Sequence, residues 1–169
     1  MFWEILGIFS IVIIYIIGKG LKKNMIGSLF LGIIIGLMFE IQVAPMFLYN
    51  TEKLTYYFVV GVEAIPISII LAWCCTLNTC ILLIEIIKKI KSEEKITNGK
   101  YFFYGLISLL ITGVLLEFIG HHLGLWSYTY TEGLFLITGV PWPAILGWFF
   151  FGTVFLATIK VYEKGINEI

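Results

Sequence analysis

Long apolar runs alternate with short polar breaks along this chain, in the pattern of membrane-crossing helices joined by tight connections. The runs cover residues 2–18, 25–49, 56–87, 101–123 and 139–159. A helix needs roughly 20 apolar residues to cross a bilayer, and the first run suffices if it begins at the interface. The run 56–87 exceeds that length and predicts a helix that tilts or extends into the interface. A basic loop (19–24), a polar turn (50–54) and a charged linker (88–100) separate the spans. The stretch 124–138 is semi-apolar and reads as a re-entrant or interfacial hairpin. Because the runs are continuous rather than alternating, a membrane barrel is not expected. The expected fold is all-α: one polytopic membrane bundle over residues 1–169, with about five transmembrane helices.

Charge orients this bundle. All eleven basic residues are lysines, and only Lys53 falls in a connection on the side opposite the other ten. Positive residues favour the cytoplasmic side near helix ends. An odd number of spans, with the N-terminus outside and the C-terminus inside, satisfies the pattern, and 88–100 becomes a cytoplasmic linker. The chain is 60% hydrophobic and 13% charged with zero formal net charge. Without arginine or a basic patch interleaved with aromatics, nucleic acid is not an expected partner. Cys74, Cys75 and Cys80 share one apolar segment, lack zinc-site spacing and read as small buried hydrophobes. The first run has neither a basic leader nor a small-residue cleavage site and reads as a retained helix.

The second and third spans resemble the fourth and fifth. Gly36-Leu-Met-Phe-Glu40 parallels Gly113-Val-Leu-Leu-Glu117, and each glutamate is followed by an aromatic exit, Met46-Phe-Leu-Tyr-Asn50 or Leu125-Trp-Ser-Tyr-Thr-Tyr130. Gly61-Val then matches Gly139-Val, and Leu71-Ala-Trp73 matches Leu146-Gly-Trp148. Residues 25–87 and 101–159 thus read as a parallel repeat, with the first span left over. At 1.5 Å per residue, Glu40 and Glu117 each lie about 23 Å beyond the inner ends of their helices. Glu63 lies about 10 Å inward from the outer end of its run. Three carboxyls on three helices then share one layer near the outer leaflet.

A carboxyl in hydrocarbon must be paired, protonated or facing a wet cavity. Glu117 and His121 are four residues apart and share a helix face, whereas His122 is turned about 100° away. A carboxyl–imidazole pair can hold a proton ready for transfer, and two neighbouring carboxyls can divide the roles of acid and base. Glu40, Glu63, Glu117 and His121 are therefore the candidate catalytic residues, against the bland reading of structural hydrogen bonds. Glu63 precedes Pro66, which predicts a helix bend. No HExxH or Glu-x-x-His pair is present, so no metal is expected. Trp126 and Tyr128 fit either an aromatic belt or the wall of a polarisable ligand. Trp73 and Trp148 lie too deep for a belt. Asn78, Thr76 and Thr79 read as helix bridges, and Gly32 with Gly36 as a close-packing GxxxG.

Leu116-Glu-Phe-Ile-Gly-His-His-Leu-Gly-Leu-Trp-Ser-Tyr128, followed by Gly139-Val-Pro-Trp-Pro-Ala-Ile-Leu-Gly-Trp148, resembles the membrane carotenoid-biosynthesis family that includes carotenoid hydratases. It is similar more faintly to integral-membrane lycopene cyclase domains. The resemblance implies a long polyene or other membrane lipid held between helices, hydrated or cyclised after protonation. Glu117, Trp126, Tyr128 and Pro141 match motif positions, and Pro141 joins Trp73, Trp126, Tyr128 and Trp148 as a candidate substrate contact. No nucleotide or flavin loop is visible, and no cofactor is expected. A scaffold locked by its glutamates and a proton-coupled lipid or ion carrier are the competing readings. Oligomeric state is not set by the sequence.

Overall fold

The computed structural model describes residues 1–61, 63–92, 96–129 and 140–167, with backbone alone at 63, 166 and 167. Five helices in it are long and apolar enough to cross a membrane. They are α1 (Phe2–Gly20), α2 (Ile26–Val43), α3 (Ile67–Ile90), α4 (Asn98–His122) and α5 (Trp142–Asn167). Helices α2, α3, α4 and α5 close a ring in which each packs on its two neighbours, and α1 lies outside it against α3. Side chains on the outside of the ring remain greasy, as in Phe30, Ile111 and Phe150, which suits a lipid solvent.

Small residues set the helix spacing. A methyl group on Gly32 would press on Asn78 and Cys74 of α3, and one on Gly36 would lie 2.6 Å from Trp73 Cβ. The GxxxG is thus a packing face of α2 on α3. Asn78 Nδ2 strengthens the contact by donating to the Ser28 carbonyl at 3.2 Å. Thr79 instead bonds within its own helix, to the Cys75 carbonyl. All three cysteines are free.

The end opposite the lysines carries short strands. A 3₁₀ turn (Ala44–Met46) finishes the second span, and β1 (Phe47–Tyr49) follows it. Strands β2 (Tyr57–Val60) and β3 (Glu63–Pro66) form a hairpin, with Gly61 at φ +63° in its turn. Hence the long run 56–87 is a hairpin followed by a helix that begins at Ile67, not one tilted span. Pro66 is the N-cap of α3 in extended conformation, so the expected bend there is a helix start. Proline suits that position because it lacks the N–H that an internal turn would need.

Strand β4 (Trp126–Tyr128) pairs antiparallel with β1, setting Phe47 opposite Tyr128 and Tyr49 opposite Trp126. This accounts for the first part of the hairpin expected over 124–138; residues 130–139 lie outside the described set. Lys53, the exception among the lysines, donates to the carbonyl of Leu123 at 2.5 Å. There it meets the negative end of the α4 dipole, a local reason for a cation on this side.

Candidate functional site

The site is assembled from two similar units. In the first, α2 carries Gly36 and, one turn later, Glu40. Trp73 of α3 packs over the bare backbone at Gly36 and donates its indole Nε1–H to Glu40 Oε2 at 2.6 Å. Tyr49 of β1 donates its hydroxyl to Oε1. In the second, α4 carries Gly113 and then Glu117, and a methyl on Gly113 would overlap the indole of Trp148. Trp148 of α5 donates to Glu117 Oε1 at 3.1 Å. Tyr128 and Trp126 of β4 both donate to Oε2, at 2.8 and 3.2 Å. Trp126 is seated on Gly120, where a side chain would again collide with the ring.

Both carboxyls are removed from solvent, with 2% of Glu40 and 5% of Glu117 exposed. At that burial each oxygen needs a partner, and each has at least one. Indole N–H groups can only donate, and the two phenols also donate here. Burial first, then the adjacent Glu117, pushes the Tyr128 phenol well above its ordinary range, so it remains a donor. A neutral carboxylic acid at Glu40 or Glu117 would therefore find its described neighbours already donating. Its own proton would go to a phenol oxygen, which can accept as well as donate, or into the cavity beside it.

That cavity joins the units. Glu40, Glu117, Trp73, Trp126 and Trp148 line a gap of about 20 Å³. Trp73 and Trp148 stack across it with centroids 3.9 Å apart and planes at 23°. A second gap of about 30 Å³ runs from Glu117 and Tyr128 toward Val43 and Ala144. On the other side, Ile69, Ala72, Leu116 and Trp126 are shared with a crevice of about 260 Å³ between α1, α3 and α4. Trp3, Leu6, Ile119 and Leu125 make much of that crevice apolar.

The residues expected from sequence divide into two groups. Glu40, Glu117, Trp73, Trp126, Tyr128 and Trp148 converge. Glu63 does not stand on a transmembrane helix: it opens β3, paired with Val60. His121 shares the helix with Glu117 but makes no hydrogen bond to it. Aromatic donors occupy the carboxyl, while His121 Nδ1 is buried without a partner among the described residues and its ring lies 5.7 Å from that of Tyr128. His122 Nδ1 faces the Phe118 carbonyl at 2.9 Å. Pro141 is buried just ahead of α5, its carbonyl accepting from Ala144 N at 3.0 Å. Tyr49, a carboxyl partner, was not among the expected residues; its equivalence to Tyr128 when the two aromatic exits are aligned was the signal that marked it. Among the described residues, no three His, Cys, Asp or Glu side chains gather as a metal site requires.

Gly113→Ala tests how tightly the second unit is built. The added methyl overlaps Trp148 and should cost about 1–3 kcal/mol through overpacking. Thermal unfolding in detergent should show a clear loss for Gly113→Ala and little change for Gly99→Ala, where nothing lies nearby. Equal melting of the two variants would remove the packing role.

A family model described as carotenoid biosynthesis protein matches residues 2–167. No curated protein and no solved structure matches the chain.

Proposed function

Because the chain belongs to the carotenoid biosynthesis protein family, and with it to carotenoid metabolism, we propose that it is an integral-membrane enzyme that protonates a terminal double bond of a long polyene. Hydration or cyclisation follows. The strand end faces the outside of the cell membrane and the lysine-rich end faces the cytoplasm, in keeping with the lysine distribution. The observation that carries this reading is one pair of buried carboxyls, ringed by aromatic donors, beside an apolar crevice that shares Ile69, Ala72, Leu116 and Trp126 with their gap.

Glu117 acts as the acid in this scheme. Its proton adds to the less substituted carbon of a trisubstituted alkene, leaving a tertiary cation and a carboxylate. Aromatic rings stabilise such a cation; of those beside Glu117, Trp126 also lines the apolar crevice, whereas Trp73 and Trp148 cover one face of each other. Water then adds to the cation and loses a proton, which returns to a carboxylate, so atoms and charge balance. For cyclisation, an internal double bond takes the place of water and a proton leaves the ring. Glu40, across the same gap, is the second carboxyl available to take up or relay a proton.

Purified protein in lipid, given an acyclic polyene with a terminal isopropylidene group, should yield a product heavier by one water, or one of equal mass with altered retention. Oxygen-18 from labelled water should enter the first product and not the second. Mass spectrometry that finds neither product across a panel of acyclic polyenes would count against the enzyme and favour a scaffold.

A further inference from the structure

At the lysine-rich end, away from the carboxyl pair, a cavity of about 240 Å³ opens where the loop before α2 meets α3, α4 and α5. Lys23, Lys88, Lys160, Glu85, Glu163 and Tyr101 line it. Lys23 reaches Glu163 and lies 3.5 Å from Glu85 Oε1, while Lys88 Nζ lies 2.8 Å from Glu85 Oε2. Lys160 has no carboxylate partner among the described side chains. Its Nζ stands 4.1 Å from the centroid of the Tyr101 ring. Among the described residues, three ammonium groups face two carboxylates, which leaves one positive charge over.

Tyr101 supplies a second observation, independent of that balance. It is 3% exposed, and its hydroxyl is buried with no hydrogen-bond partner among the described residues. An unmade hydrogen bond at such a depth is unfavourable and uncommon. The site therefore lacks an acceptor with negative charge, placed between a phenol and an ammonium. A phosphodiester has that character, with one charge and several acceptor oxygens. Basic pockets between helices at the membrane surface hold acidic lipid headgroups for the same reason.

We propose that this cavity binds a phosphate group at the cytoplasmic surface, supplied by an anionic phospholipid headgroup, with Lys160 and Tyr101 as its direct contacts. The lipid would join the ends of α3, α4 and α5 from the side opposite the carboxyl pair. A free phosphate ion offers the same chemistry, and the test separates the two sources.

The full chain is placed in nanodiscs of phosphatidylglycerol or of phosphatidylcholine, and its melting temperature is measured. Phosphatidylglycerol should raise it by about 3 °C. Tyr101→Phe and Lys160→Gln should each lose most of that rise. Lys89→Gln removes the same charge from an exposed position at this end and should keep it. Native mass spectrometry should show phosphatidylglycerol retained by the wild type and by Lys89→Gln, and lost from the other two. Millimolar inorganic phosphate in phosphatidylcholine discs, if it reproduces the rise, assigns the site to a soluble phosphate; no effect assigns it to the lipid. A rise that survives in both cavity variants, or is absent in the wild type, overturns the proposal.

Discussion

Glu117→Gln is expected to lower turnover by about 10²–10⁴-fold, the contribution typical of a positioned general acid, while the protein stays folded. Glutamine has nearly the same shape and one oxygen that can still accept from Tyr128 and Trp126. Its amide nitrogen then faces the indole N–H of Trp148, which sets donor against donor at a bond now 3.1 Å long. The loss of one buried hydrogen bond should cost about 1–3 kcal/mol of stability, which is why turnover is counted per folded molecule. Glu117→Asp keeps a transferable proton on a shorter arm and should retain measurable turnover. Product formed per folded molecule, followed by mass spectrometry, decides the matter: undiminished turnover in Glu117→Gln would remove this residue as the acid.

Trp148→Ala should have the largest effect on stability. The side chain is 1% exposed, stacks on Trp73, fills the space above Gly113 and donates to Glu117. Loss of a buried indole typically costs about 3–5 kcal/mol, as transfer and cavity terms together. Trp148→Phe separates the contributions, because phenylalanine keeps a ring for Trp73 and Gly113 but offers nothing to Glu117 Oε1. The phenylalanine variant should recover most of the melting temperature without recovering full activity. If Trp148→Ala melts like the wild type in detergent, the stacked pair is not a structural centre. If Trp148→Phe is fully active, the hydrogen bond to Glu117 is dispensable.

The two units share a grammar that the sequence already contained. Gly36 and Glu40 recur as Gly113 and Glu117, four residues apart in each case, and one turn of helix separates the indole seat from the carboxyl it serves. Tyr49 and Tyr128 follow as the phenol donors, and Trp73 and Trp148 as the indole donors. The two units face each other through the stacked tryptophans.

Hydropathy by itself determined the five crossing helices and their polar connections, because a membrane requires about 20 unbroken apolar residues of any helix that spans it. It also put Glu40 and Glu117 at matching places near the outer ends of their spans, since rise per residue converts sequence position into depth. It did not determine the start of α3. Residues 57–66 are as apolar as a span, and a short apolar run does not distinguish strand from buried helix. Only pairing of Tyr57–Val60 with Glu63–Pro66 made them a hairpin, which took Glu63 off the helical layer. Nor did it determine what Glu117 touches. Spacing of four residues puts His121 on the same face, but which group reaches the carboxyl depends on elements distant in sequence. Tertiary structure decided that β4, held by β1, and α5, seated on Gly113, deliver Trp126, Tyr128 and Trp148 there. Periodicity fixes direction around one helix, whereas a buried carboxyl is satisfied by whichever donors the packing of several elements brings within about 3 Å.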